Sequence, residues 1–123
     1  MIYKIAFASS GGERVDRHFG QADQFVIAEL DSDKEDYDIK ETRSVIAPCH
    51  GGEHSVLSFE EVLEELSDVS AIVAQRVGPG AAKFIAEKDI RIYTLPTGIE
   101  EALCTLLEKK AWEVDKWQYH TKS

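Results

Sequence analysis

The chain runs Val69-Ser70-Ala71-Ile72-Val73-Ala74-Gln75 and then Arg76-Val77-Gly78-Pro79-Gly80. The first part is apolar and β-branched, which predicts a buried central strand. The glycines and the proline break that strand, and proline is well placed to open the helix expected at residues 81–87. A further strand at residues 89–94 completes a β-α-β unit, whose two strands are expected to be parallel and joined by a right-handed crossover.

Three more strands are predicted ahead of this unit. Apolar runs at residues 2–8 and 24–30 indicate buried strands, and the polar, alternating residues 37–46 indicate an edge strand. The short acidic turn between the second and third strands predicts an antiparallel hairpin.

Helical periodicity appears at residues 58–66 and 99–107, and Thr97 and Glu100 form a capping-box pattern at the start of the later helix. We therefore expect an α/β fold in the order β-β-β-α-β-α-β-α. It contains a five-stranded mixed sheet with about three helices on its two faces and with strands one, four and five at its centre. We assign residues 1–110 to a single domain and residues 111–123 to an aromatic C-terminal tail.

The composition argues against several classes of partner. The 123 residues include 23 acidic and 14 basic side chains, for a net charge of −9. This charge argues against nucleic-acid binding, which needs a concentrated basic surface. No apolar run approaches the ~20 residues of a membrane helix, and the N-terminal apolar stretch lacks the marks of a signal peptide. We expect a cytoplasmic protein that binds neither nucleic acid nor membrane.

The loop between the first two strands carries Asp16-Arg17-His18-Phe19-Gly20. A histidine on a loop at the end of a strand can serve as a metal ligand or as a proton carrier near neutral pH. It can also simply close a turn, with its ring packed on Phe19. Arg14 and Arg17 flank the histidine, and local arginines in an acidic protein suit a small anion. Two other arginines, Arg43 and Arg76, lie at predicted strand ends.

A second candidate anion site lies at Gly78 and Gly80, where the backbone donors of a helix start face the end of a strand. The spacing is too short for a Walker loop, and the chain has no GxGxxG pattern, so we do not predict a nucleotide site.

A third loop carries Cys49, His50 and His54. Thiolate and imidazole together favour iron, copper or zinc, although the spacing differs from that of a zinc finger. The same residues can equally be incidental members of a flexible glycine loop. Ser9 and Ser10 lack the G-x-S-x-G elbow of a hydrolase, and no set of carboxylates suits a two-metal mechanism. We therefore expect a protein that is not an enzyme.

The chain resembles the dinitrogenase iron-molybdenum cofactor biosynthesis family, which includes NifX- and NafY-type accessory proteins and the C-terminal domain of NifB. The resemblance covers nearly all of residues 1–109. It rests on Ile5-Ala6-Phe7-Ala8, Val15-Asp16-Arg17-His18-Phe19-Gly20-Gln21-Ala22, Val77-Gly78-Pro79-Gly80-Ala81-Ala82 and Gly98-Ile99-Glu100-Glu101-Ala102-Leu103. It implies a ribonuclease-H-like, three-layer fold without nuclease chemistry, and a nitrogen-fixation-related role in binding an iron–sulfur or iron–molybdenum cluster. The resemblance also implies that the histidine of the family's motif is a cluster ligand, and this histidine corresponds to His18.

The predicted function is that of a non-catalytic carrier of such a cluster, with cluster donor and acceptor proteins as partners, in a monomer or weak homodimer. His18 is the predicted main metal ligand, and Cys49, His50 and His54 are further metal candidates. The other predicted cofactor-binding residues are Arg14, Asp16, Arg17, Phe19, Gly20, Gly78 and Gly80. Two alternatives stay open: a regulatory or protein-interaction domain without metal, and a mononuclear zinc or copper protein built on the Cys49 loop.

Overall fold

The computed structural model describes residues 1–45 and 56–118. In these ranges the chain forms five strands, which are β1 (Ile2–Ala8), β2 (Gln24–Asp31), β3 (Asp36–Ser44), β4 (Ala71–Ala74) and β5 (Arg91–Thr94). The helices of the same ranges are α1 (Val56–Glu65), α2 (Pro79–Glu87), α3 (Ile99–Glu108) and α4 (Ala111–Val114), with a single 3₁₀ turn at Phe19–Gln21. The α/β class and the five strands are as predicted.

The strands form one mixed sheet in the order β3-β2-β1-β4-β5. β1 pairs antiparallel with β2 and parallel with β4, and β4 pairs parallel with β5. The β2–β3 hairpin is antiparallel and contains an irregularity at Ile27/Ala28. The mixed sheet, the hairpin and the edge position of β3 are therefore confirmed.

The prediction that the fifth strand lies at the centre of the sheet is wrong. β5 lies at the second edge, where its residues are half-buried or exposed, whereas β2 occupies an internal position between β1 and β3. Residues 25–28 of β2 are buried in succession because helices cover both faces of the sheet there.

Alternate residues of β1 face opposite layers, as the two-residue period of a strand requires. Ile5 and Phe7 belong to the core cluster that includes buried residues of α3 and α4. Ala6 and Ala8 belong to the cluster that includes buried residues of α1 and α2. The result is a three-layer domain with the sheet in the middle.

The residues after α3 form part of this core. α4 is additional to the about three helices expected from the sequence, and it follows Lys110, which has a left-handed backbone conformation. Trp117 is 5% exposed, and its Nε1–H donates a hydrogen bond to the Tyr93 hydroxyl at 2.7 Å. Its ring packs edge-on against Tyr3, with the ring centroids 5.6 Å apart.

A buried ion pair joins the α1–β4 connection to the sheet. Asp68 is 3% exposed and accepts hydrogen bonds from both terminal nitrogens of Arg43, at 2.6 and 2.8 Å, and from Lys4 Nζ at 3.1 Å. None of the helices in the described ranges has the length and apolar character needed to cross a bilayer.

Candidate functional site

Three loops meet at the carboxyl ends of the parallel strands β1, β4 and β5. This edge is where open α/β sheets usually bind ligands. The loop after β1 contacts the other two through isolated bridges from Arg14 to Gly98 and from His18 to Arg76. The sheet order therefore brings the histidine loop next to the turn that contains Gly78.

Backbone hydrogen bonds hold the chain on both sides of His18. The amide of Phe19 donates to the carbonyl of Arg76, and the amide of Gln75 donates to the carbonyl of Arg17, each at 2.9 Å. His18 is extended, with φ −71° and ψ 144°, and it precedes the 3₁₀ turn. These bonds fix the backbone from which the imidazole projects.

A second pair of backbone bonds holds the loop against the start of α3. Val15 donates its amide hydrogen to the carbonyl of Thr97 at 2.8 Å, and Ile99 donates to the carbonyl of Glu13 at 2.9 Å. Arg14 lies between these two bonds, so its position relative to the rest of the loop is set by main-chain atoms.

The imidazole of His18 is half-buried and makes no side-chain capping bond to the 3₁₀ turn that it precedes. Nor does it form a hydrogen bond or ion pair with any residue that the structure describes. Phe19 behaves in the opposite way, because it is fully buried and its ring centroid lies 5.8 Å from that of Phe25. Phe19 therefore anchors the loop in the core and leaves His18 at the rim, by which we mean the surface formed by the loops at the carboxyl ends of β1, β4 and β5.

Asp16 is engaged within the loop. Its carboxylate accepts hydrogen bonds from the hydroxyl and the amide of Ser10, and these bonds, followed by the charge of Arg17, lower the pKa of Asp16. Nearby, Ser9 Oγ accepts a hydrogen bond from the amide of Gly12 at 2.9 Å. These contacts give the carboxylate a positioning role.

Three exposed arginines lie in the loops at this edge: Arg14 and Arg17 in the loop that carries the histidine, and Arg76 in the loop after β4. None of the three forms an ion pair within the described ranges, although the chain has 23 acidic residues. Arg43, the other arginine at a predicted strand end, is instead bound to Asp68. Three guanidinium groups without an ion pair in the described ranges therefore lie in the loops at the carboxyl edge of the sheet.

The first turn of α2 lies beside this edge. Gly78 is its N-cap, and the amide of Ala82 donates to the Gly78 carbonyl at 2.9 Å, so the amides of Gly80 and Ala81 have no acceptor within the helix. A Cβ atom at Gly78 or at Gly80 would meet no other atom within 4 Å. Internal crowding therefore does not require glycine at either position, and both leave the backbone open to approach.

No three histidine, cysteine or acidic side chains converge on a metal-binding position within residues 1–45 and 56–118. Cys49, His50 and His54 lie outside the described residues. Sequence reasoning recognised Arg76 as a strand-end arginine and did not place it in the site. Its signal was its position directly after β4, since parallel strands end at the same edge.

Comparisons with known proteins agree with this architecture. The family profile described as "Dinitrogenase iron-molybdenum cofactor" matches residues 1–109. The chain is 30% identical over 99 residues to the FeMo cofactor biosynthesis protein NifB of Chlorobaculum tepidum, in a match that covers 80% of this chain and 22% of that protein. It thus spans about a fifth of that relative's length.

An uncharacterized protein of Methanocaldococcus jannaschii is 30% identical over 110 residues, which are 89% of each chain. The high-resolution structure of the apo form of the orange protein from Desulfovibrio gigas superposes with a TM-score of 0.58 at 18% identity, covering 98% of this chain and 95% of that one. This last likeness concerns the fold alone. On the strength of the profile match over residues 1–109, the chain belongs to the dinitrogenase iron-molybdenum cofactor family.

Proposed function

We propose that this protein is a non-catalytic carrier of an anionic iron–sulfur or iron–molybdenum cluster in cofactor assembly or delivery, with His18 as its principal protein ligand. The observation that carries the proposal is a half-buried imidazole that has no hydrogen-bond partner in the described ranges. The backbone of His18 is fixed on both sides, its bridge partner is Arg76, and the same loop carries Arg14 and Arg17, which like Arg76 have no ion pair in the described ranges. The family to which the chain belongs supports a role in cofactor biosynthesis.

The chemistry of the donor groups suits such a cargo. A neutral imidazole nitrogen binds iron, and guanidinium groups donate hydrogen bonds to anionic acceptor atoms such as cluster sulfides. The free amides of Gly80 and Ala81 add partial positive charge beside the same edge. Inorganic clusters of this kind carry net negative charge, so the arginines and these amides favour them.

The number of metal ligands supports carriage over permanent binding. The described residues supply a single imidazole and no cluster of three metal-binding side chains. A cargo held by one protein bond together with charge attraction exchanges more readily than one enclosed by four ligands. Cys49 is the proposed second, exchangeable ligand, with His50 and His54 as further candidates, and the proposed partners are proteins that donate and accept the cluster.

Anaerobic loading with a synthetic, thiolate-ligated 4Fe–4S cluster tests the proposal. We expect His18→Ala to lose most of the bound iron and the associated absorption and paramagnetic resonance signals, and Cys49→Ser to lose part of them. His120→Ala is the matched control, because it removes an imidazole outside the segment that matches the family. Full loading of both His18→Ala and Cys49→Ser would overturn the proposed site.

Elemental analysis of protein purified without oxygen separates the alternatives. Iron or molybdenum that is lost in His18→Ala supports the carrier. Absence of iron, molybdenum, copper and zinc from the unaltered protein supports a metal-free regulatory or interaction domain. Zinc or copper that persists in His18→Ala supports a mononuclear site on the Cys49 loop.

A further inference from the structure

We infer that Arg76 is the specificity-determining residue of the same site, and that it makes the site accept metal-containing anions while rejecting free divalent cations. This inference rests on the proposed function and deepens it, since it names the side chain that selects an anionic cargo. Arg76 lies outside the loop that carries the histidine, so the sheet order brings it to the site.

The first step of the argument is the bridge between His18 and Arg76. The two residues are paired in parallel orientation, and the Arg76 carbonyl accepts a hydrogen bond from the amide of Phe19, the residue after His18. Paired backbones of a sheet lie about 4.8 Å apart, and paired residues project to the same side. The guanidinium and the imidazole therefore start from adjacent points of the same rim.

The second step is the absence of an internal partner for this charge. Arg76 is exposed and has no ion pair in the part of the chain that the structure describes. Other arginines of the chain are engaged: Arg43 binds Asp68, and Arg91 donates to the carbonyl of Asp115 at 2.7 Å. Arg76 thus keeps its planar set of donors for an external acceptor.

The third step is the effect of this charge on the two forms in which a metal can arrive. A thiolate- or sulfide-ligated cluster is an anion, and it is attracted by the guanidinium beside its imidazole ligand. A hydrated zinc or iron(II) ion carries two positive charges and is repelled by Arg76, Arg14 and Arg17 together. A lone imidazole in neutral surroundings has no such preference, so the arginines supply the discrimination, and Arg76 supplies most of it because its backbone is paired with that of His18.

Substitution of Arg76 leaves the loop geometry in place, because the bond to Phe19 uses the main-chain carbonyl. Arg76→Gln removes the charge, and Arg76→Glu reverses it. Lys88→Glu is the matched control. It makes the same charge reversal at an exposed residue that caps the opposite end of α2, about 13 Å from its start for a nine-residue helix.

The experiment measures two affinities for each variant, one for the synthetic 4Fe–4S cluster and one for Zn²⁺ alone. We expect Arg76→Gln to weaken cluster binding about tenfold and Arg76→Glu to weaken it about a hundredfold, as the loss and reversal of a charged hydrogen-bond donor imply. Zn²⁺ binding by Arg76→Gln, which introduces no carboxylate that could itself bind zinc, should strengthen about tenfold, and adding His18→Ala should abolish that gain. Lys88→Glu should change either affinity less than about threefold.

The outcomes separate this inference from the function on which it rests. If His18→Ala loses the cluster while Arg76→Glu binds it as tightly as Lys88→Glu does, the carrier function stands and the role of Arg76 is refuted. If the unaltered protein fails to bind the cluster, both are refuted. A loss of cluster binding in Arg76→Gln without the His18-dependent gain of Zn²⁺ refutes the selection against cations.

Discussion

The carboxylate of Asp16 accepts two hydrogen bonds from Ser10, one from the hydroxyl at 2.6 Å and one from the amide at 2.8 Å. These bonds join the segment two residues before His18 to Ser10, which lies just after the end of β1. Asp16 therefore orders the segment from which the proposed ligand projects.

We expect Asp16→Ala to reduce cluster affinity about fivefold, because the loop must then be ordered by the cargo at the cost of binding free energy. Unfolding should change little, since Asp16 is exposed. Asp23→Ala is the control, because that exposed residue contributes only its backbone carbonyl to a hydrogen bond. Equal cluster affinities in the two variants would show that the carboxylate does not position the loop.

The hydrogen bonds between Ser10 and Asp16 also predict that the ordering of the histidine loop depends on pH. The Ser10 hydroxyl, the Ser10 amide and the charge of Arg17 lower the pKa of Asp16 from its ordinary value. The contact is therefore complete above the usual carboxyl range and is lost as acid protonates Asp16 below about pH 4. Ser10→Ala should shift the acid limb of loop ordering, followed by amide exchange in residues 13–18, to higher pH.

Asp68 gives the clearest stability prediction. Its hydrogen bonds from Arg43, and then those from Lys4, hold the pKa of the buried carboxyl far below its ordinary value. A lowered pKa in the folded state means that the stabilisation is complete above the unfolded value of about 3.9 and is lost as the pH falls below it.

We expect Asp68→Asn to lower the free energy of unfolding by roughly 3 kcal/mol at neutral pH, because it leaves the largely buried Arg43 with only the exposed Glu41 as a charge partner. Its deficit should shrink in acid, where the unaltered protein loses the same contact. Glu64→Gln, an exposed change on α1, should unfold like the unaltered protein. Chemical denaturation between pH 3 and 7 measures the difference, and a deficit that is independent of pH would contradict the assigned cause.

The sequence predicted the strands well because their burial patterns are local. It failed where the answer depends on order in space. The run Arg91-Ile92-Tyr93-Thr94 has the same apolar character at an edge as it would have at the centre, so its placement needed the pairing of β1 with β4. The four-residue helix α4 is shorter than two turns, and helical periodicity cannot reveal it.

The site shows the same division. His18, Arg14 and Arg17 are within five residues of each other, and local reasoning grouped them. Arg76 joins them only through the bridge across the sheet edge. The capping box predicted from Thr97 is also wrong, because the N-cap of α3 is Gly98, which has no side chain to form a cap. The backbone of Gly98 instead pairs with that of Arg14. A tertiary contact there replaces the local one.

Trp117 gives a prediction for the C-terminal segment. The indole is buried and donates to the Tyr93 hydroxyl, and both lie on the face covered by α3 and α4. We expect Trp117→Ala to cost about 3 kcal/mol of stability and Trp117→Phe about 1 kcal/mol, since the second change keeps most of the apolar contact. Thermal or denaturant unfolding measures both. Trp117 contacts Tyr3 near the start of β1, so cluster affinity per folded molecule should stay unchanged in Trp117→Phe.

Gly11 and Gly12 provide a matched pair for the histidine loop. A Cβ atom at either glycine would meet no atom within 4 Å, but only Gly12 has a positive φ, of 83°. Alanine at residue 12 must therefore adopt a strained backbone or displace the amide that donates to Ser9 Oγ. We expect Gly12→Ala to destabilise the fold by about 1 kcal/mol. Gly11→Ala should be neutral or slightly stabilising, because it only restricts the unfolded chain. If the two variants unfold at the same denaturant concentration, the left-handed conformation at Gly12 is not what shapes the loop leading to His18.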